Sequence, residues 1–187
     1  MKDIGDQTVD RLVANYISEV GDFYELPKIN INIHLIKSRK EFDEIEGHKT
    51  ADWVVGFTRN DTIYIFDRDI FEECTSHPKS AFEAVLKHEI SHIYFKRLKA
   101  SGHPNWLDEG VACFIAGQNK DTNPGEITIR TLKNYNKNVD KDIYSIGRFM
   151  VTKIIEKFGK KKLFELIKIE SSNSLYGELK NMFNWLA

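Results

Sequence analysis

The sequence predicts an α+β fold, with a small mixed or antiparallel sheet in the first third and helices in the remainder. Apolar and polar residues alternate in short runs up to Phe66, which is the period of strands with one buried face. From residue 78 onward the apolar spacing follows the 3.6-residue period of helices. With 187 residues, of which 41% are apolar, the chain can form one core. We expect one domain over residues 1–187, with a sheet-containing lobe over about 1–75, a helical lobe over about 78–187, and a cleft between them.

The first third of the chain predicts one helix and three strands. Apolar residues at three-and-four spacing predict a helix over residues 8–20, which Gly21 would end. Isoleucines and a leucine alternate with polar residues over 29–35, as in a half-buried strand. Two further β-rich runs, 53–57 and 62–66, are separated by a short polar turn, so we expect a hairpin.

The rest of the chain predicts a series of amphipathic helices. Pro78 and Ser80 precede the central helix, and the glycine and proline of residues 102–104 follow it. Glycines also mark the ends of the next two helices. The predicted helical segments after the central helix are 106–117, 142–158, 161–170 and 174–186.

Charge, cysteines and targeting signals exclude several classes of protein. The 27 basic and 28 acidic side chains nearly cancel, so we expect neither a nucleic-acid partner nor an acidic membrane surface as partner. Cys74 and Cys113 are too few for a disulfide scaffold or a zinc site built from cysteines. The polar, acidic start of the chain does not resemble a signal peptide. We therefore expect a cytoplasmic protein.

A metal-binding motif lies within the predicted central helix, where residues 88–92 read His-Glu-Ile-Ser-His. Two histidines four residues apart project from one helix face, so His88 and His92 can bind a single ion. Glu89 points toward the same side, where it can accept a proton from a water molecule without being a ligand. The pattern predicts one zinc ion per chain, with Glu89 as the general base.

A catalytic zinc has three protein ligands and one open position, so a third ligand is expected. The metzincin arrangement is excluded, because Phe95 and Leu98 stand where it requires glycine and histidine. His103, Asp108 and Glu109 are the candidates. Glu109 is favoured, since its helix is rich in small residues that let another helix approach closely. Asp108 better suits the role of a first-turn acid at the helix dipole, and His103 that of a loop residue at the cleft mouth.

The His-Glu-Ile-Ser-His of residues 88–92 and the Trp-Leu-Asp-Glu-Gly of residues 106–110 together resemble motifs of the gluzincin metallopeptidases of the MA clan. The resemblance is in particular to minimal members related to the catalytic core of the M1 aminopeptidase family. In that family the HExxH helix is followed by a helix with a ligand glutamate, as in the Trp-Leu-Asp-Glu-Gly of residues 106–110. The similarity extends over about residues 53–185. It implies a zincin-like fold, zinc ligands His88, His92 and Glu109, and Glu89 as the catalytic base. It also implies that strand 62–66 is an edge strand that holds an extended peptide.

Two further positions are interpreted through the same resemblance. Tyr144 corresponds to a tyrosine that often stabilises the oxyanion in this group, and its alternative role is that of a core or rim aromatic. Some gluzincins place an aspartate four residues after the ligand glutamate to orient a zinc histidine, whereas this chain has Cys113.

The leading functional hypothesis is a zinc metallopeptidase that acts on a peptide or protein substrate. The alternative is a zincin-fold module that binds zinc for a regulatory or partner-binding role with little hydrolytic activity. A third possibility shares the chemistry of the first and cleaves one regulatory protein. No motif for recognising a substrate amine precedes residue 88, which argues against an aminopeptidase.

Overall fold

The structure is a computed structural model that describes residues 4–99, 102–136 and 140–186. Within these ranges the chain forms eight α-helices and one three-stranded mixed sheet, so the predicted α+β class is confirmed. The chain divides into two compact units, Met1–Tyr94 and Phe95–Ala187. The division falls within the central helix, between Tyr94 and Phe95.

The first unit contains the sheet and the helices that pack on it. Its strands are β1 (Asn32–Ile36), β2 (Gly56–Arg59) and β3 (Thr62–Phe66). Its helices are α1 (Ile4–Tyr24), α2 (Arg39–Glu46), α3 (Phe71–Cys74), a 3-10 turn (Lys79–Ala81) and α4 (Phe82–Leu98), whose last residues belong to the second unit.

The sheet has the strand order β1-β3-β2. Strand β2 pairs antiparallel with β3, which confirms the predicted hairpin, and β1 pairs parallel with β3. The prediction that residues 62–66 form an edge strand was wrong, because β1 and β2 flank this strand on both sides. A parallel pair needs a crossover connection, which here contains α2. The edge strand next to β3 in the hairpin is β2.

Helix α1 continues through Gly21 to Tyr24, so the prediction that Gly21 ends it was wrong. A Cβ atom at Gly21 would lie 2.9 Å from the hydroxyl oxygen of Tyr94 on α4. That hydroxyl donates a hydrogen bond to the carbonyl oxygen of Ile17 at 3.0 Å. The glycine is therefore required for the close packing of two helices, and the helix ends beside Glu25, which has a positive φ of 56°.

The second unit is helical in all its described regular elements. They are α5 (Asn105–Ala116), α6 (Ile129–Asn134), α7 (Lys141–Ile167), α8 (Ser172–Met182) and a 3-10 turn (Asn184–Leu186). As predicted, Gly117 caps α5 in the left-handed conformation. Gly159 interrupts α7 with non-helical angles (φ 80°, ψ 166°), which confirms the predicted break between two helical segments.

Helices α5 and α7 pack against each other at two glycines. A Cβ atom on Gly110 would lie 2.8 Å from the Cα atom of Gly147, and one on Gly147 would lie 2.9 Å from the Cα atom of Gly110. Real Cβ contacts are not this short, so the two backbones touch where neither residue has a side chain. Among the described helices, none has the length and apolar character needed to span a membrane.

Candidate metal centre

Helix α4 brings His88, Glu89 and His92 into one cluster. One ligand-type atom from each side chain lies within 4.8 Å of the others. The two imidazole rings have their centroids 4.7 Å apart and are nearly perpendicular, at 80°. His88 and Glu89 are buried, with exposed fractions of 7% and 6%, and His92 is half-buried. The predicted clustering of these three side chains is confirmed.

The clustering follows from the helix itself. Residues i and i+4 lie on the same face about one turn apart, so the spacing of His88 and His92 brings their rings together without help from distant parts of the chain. Buried polar and charged groups are costly unless they have partners. His88 and Glu89 are buried and His92 is half-buried, so these polar groups need partners within the fold.

The rest of α4 is anchored to the core of the first unit. Ile90 and Ile93 are almost fully buried. The side chain of Ser91 is fully buried, and its hydroxyl lies 2.9 Å from the hydroxyl oxygen of Tyr24 on α1. The ring of Tyr24 also stacks on Tyr94, with a centroid distance of 5.9 Å. These contacts fix the rotation of α4 about its axis and so hold the motif side chains in place.

The edge strand β2 lies directly beside Glu89. A Cβ atom placed on Gly56 would be 3.3 Å from Cγ and 3.3 Å from Oε1 of Glu89. It would also be 3.2 Å from the carbonyl oxygen of Tyr64 on β3. The absence of a side chain at Gly56 leaves the space that the Glu89 carboxylate occupies. Sequence reasoning missed this residue, although a glycine within a strand pattern indicates close approach by another group.

Arg39 on α2 holds the segment that leads into β2. Its guanidinium donates hydrogen bonds to the carbonyl oxygens of Val54 at 2.9 Å and Cys74 at 2.7 Å. The same group lies 4.5 Å from the ring centroid of Phe66. Burial lowers the pKa of Arg39 below its usual value, and the nearby Asp43 carboxylate acts in the opposite direction. A planar group with several donors suits this position, because it satisfies carbonyl groups on separate segments at once.

The chemistry of the three side chains fits a bound metal ion. Imidazole nitrogens are ligands for zinc, copper, iron and nickel. In catalytic zinc sites such nitrogens lie about 2.0–2.1 Å from the ion, so two of them on one ion are separated by roughly 4 Å or less. The 4.8 Å limit that covers all three donor atoms is close to this span. His88 and His92 are thus the residues that would hold the ion, with Glu89 beside them.

The other predicted residues lie in the second unit. Glu109 is in the first half of α5 and is half-buried, directly after the buried Asp108. His103 precedes α5, and its ring contacts that of Phe95 with a centroid distance of 4.8 Å. Tyr144 is near the start of α7 and is half-buried. The roles of Glu109 and Tyr144 stay predictions from the sequence.

No protein-family model, no curated protein and no solved structure matches the chain. The resemblance to the gluzincins therefore depends on the motif residues themselves.

Proposed function

We propose that the protein is a zinc-dependent metallopeptidase of the gluzincin type with a zincin-like fold. The main support is the cluster of His88, Glu89 and His92 on one helix, in which His88 and Glu89 are buried. Each residue type has a separate task in metal-assisted hydrolysis, with imidazoles as ligands and a carboxylate as base. Because Glu89 lies close to the edge strand β2, a peptide that paired with this strand would lie near the base.

Glu89 would act as the general base and then as the general acid. When bound, zinc supplies polarisation of the scissile carbonyl group and acidifies a water molecule. Glu89 accepts a proton from the attacking water and passes it to the nitrogen of the departing amine. Its burial, with an exposed fraction of 6%, limits competing contacts with bulk water. His88 and His92 bind through neutral imidazole nitrogens and do not transfer protons.

The remaining roles are proposed from the sequence. Glu109 is the third zinc ligand, and Tyr144 donates a hydrogen bond to the oxyanion. An extended peptide adds to the sheet along β2, since this edge strand passes over Glu89 and pairs only with β3 among the described strands. This assignment replaces the one made for residues 62–66, which form the central strand.

The alternative is a zinc-binding module with little hydrolytic activity. Such a module needs the metal ligands but has no use for a base, whereas Glu89 is buried beside both histidines. This burial supports a hydrolase over a structural site. A single variant separates the two functions, because the base can be removed while the ligands stay.

We predict that Glu89→Gln abolishes peptide hydrolysis and leaves the zinc content unchanged. The amide keeps the shape of the side chain but cannot accept the proton, and loss of a general base lowers rates by about 10²–10⁴-fold. The measurement is cleavage of a mixed peptide library by the native protein and the variant, with and without a chelator, together with metal analysis.

Glu72→Gln is the matched control, because Glu72 is an exposed residue of α3, and this variant should keep native activity. Native rates in Glu89→Gln, or cleavage by the native protein that a chelator does not reduce, would contradict the proposed function.

A further inference from the structure

A patch of aromatic and lysine side chains lies on the second unit, where α7 meets the residues after α8. Phe158 and Trp185 are the two large apolar side chains that are exposed among the described residues, with exposed fractions of 37% and 49%. Both rings contact the buried Phe183, at centroid distances of 5.5 and 5.4 Å. We call this set the aromatic–lysine patch; its members are Phe149, Lys153, Lys157, Phe158, Phe183 and Trp185.

The lysines of the patch lie over its rings. Phe149, Lys153 and Lys157 are spaced four residues apart, and therefore lie along one face of α7. The Lys153 amine lies 5.6 Å from the ring centroid of Phe149. The Lys157 amine lies 5.2 and 5.5 Å from those of Phe158 and Phe183. Exposed apolar rings and cationic groups thus occupy the same surface.

The local charge of this region differs from that of the whole chain. The protein has a net charge of −1, whereas residues 153–162 contain five lysines and one acidic residue, Glu156. Lys153 pairs with Glu156 at 2.8 Å. Lys157 instead donates a hydrogen bond to the carbonyl oxygen of Met182 at 3.3 Å, a contact that does not neutralise its charge. Lys162 pairs with Glu178 at 2.6 Å and with Glu165 at 3.5 Å. The five lysines thus stand against three glutamates, and a surplus of two positive charges remains. The surface around the patch is therefore locally cationic, although the net charge of the chain predicts no attraction to anions.

We propose that the aromatic–lysine patch binds the surface of an anionic phospholipid bilayer. Tryptophan and phenylalanine partition into the boundary between headgroups and acyl chains, and lysines beside them attract anionic headgroups. Lysine side chains that extend along apolar rings can keep their amines in the headgroup layer while the rings enter it. The proposal concerns the second unit and is independent of the metal centre.

The ring contacts favour a bilayer over a nucleic acid. Binding of single-stranded nucleic acid uses aromatic faces on which bases stack. In the patch, Lys157 stands over Phe158 and Phe183, and the Trp185 ring contacts both Phe183 and Phe149. Insertion of ring edges between lipid headgroups does not require a free face. A single-stranded oligonucleotide is included in the test as the competing partner.

The test is co-sedimentation of the full chain with two kinds of vesicle. One consists of phosphatidylcholine alone, and the other of equal parts of phosphatidylcholine and phosphatidylserine. We expect binding to the phosphatidylserine vesicles that added salt weakens. Trp185→Ala should lower the affinity about tenfold, and Lys157→Gln about fivefold, since each lysine at an anionic surface contributes about that factor. Lys157→Gln keeps a hydrogen-bond donor for the Met182 carbonyl group.

Lys28→Gln is the matched control, because Lys28 is exposed in the first unit and its replacement changes the net charge equally. It should bind vesicles like the native protein. Equal binding to both kinds of vesicle, no binding to either, or native affinity in both patch variants would overturn the proposal. Oligonucleotide binding, or self-association without vesicles, that is lost in Trp185→Ala while vesicle binding is absent would assign the patch to that partner instead.

Discussion

The side chain of Glu89 lies close to Gly56, a residue that has no side chain. Gly56 lies on β2 at the point where a Cβ atom would be 3.3 Å from the Glu89 carboxylate. The same Cβ atom would be 3.2 Å from the carbonyl oxygen of Tyr64 on β3. Glu89 and β2 are therefore in close contact at this position. A larger residue at Gly56 has to displace either the carboxylate or the strand.

We predict that Gly56→Ala lowers the rate of peptide cleavage about tenfold while the zinc content stays native. The added methyl group has to push the Glu89 carboxylate by a few tenths of an ångström, and a misplacement of about 1 Å can cost roughly 10²-fold in rate. The measurement is kcat with a cleavable peptide, alongside metal analysis. Gly177→Ala on α8 serves as control, since a Cβ atom there meets nothing within 4 Å. An unchanged kcat in Gly56→Ala would show that this contact does not position the base.

Among the secondary-structure elements, the sequence correctly predicted those features that depend only on neighbouring residues. The motif histidines needed only the helical spacing of residues 88–92, and the break in α7 needed only Gly159. Long-range packing determined the elements that were predicted wrongly. Gly21 remains inside α1 because the Tyr94 hydroxyl occupies the space beside it. Strand β3 is central because β1 pairs with its second edge. Neither the contact of Tyr94 with Gly21 nor the pairing of β1 with β3 can be identified from the local sequence.

The packing of α5 against α7 depends on two glycines. We predict that Gly147→Ala lowers the free energy of unfolding by about 1–3 kcal/mol, the usual cost of overpacking a close contact. The new methyl group would lie 2.9 Å from the Cα atom of Gly110 and closer still to the carbonyl oxygen of Trp106, and both are backbone atoms that cannot rotate away. The measurement is the midpoint of denaturant unfolding. Gly177→Ala should instead raise stability by up to about 1 kcal/mol, as expected for an exposed helical glycine. A Gly147→Ala protein as stable as the native one would contradict this packing.

In the whole molecule, the residues named in the proposal are divided between the two units. The first unit supplies the cluster of His88, Glu89 and His92 together with β2. Glu109 and Tyr144 belong to the second unit. The cluster could be predicted because one helix carries all three residues. Whether Glu109, on a separate helix, lies near them depends on tertiary structure, which local spacing does not determine. The sequence therefore predicted His88 and His92 as ligands from spacing, whereas the choice of Glu109 needed the small residues of its helix and a resemblance to a family.

The zinc content of the purified chain shows whether the residues of α4 bind zinc. The protein is dialysed against excess zinc and then against zinc-free buffer, and the metal is counted by mass spectrometry. We expect one zinc ion per chain in the native protein and in Glu89→Gln, and loss of the ion in His92→Ala and Glu109→Ala. Retention of zinc by Glu109→Ala alone would remove that residue from the ligand set. A native chain without zinc, or a His92→Ala chain that keeps it, would contradict the proposed metal centre.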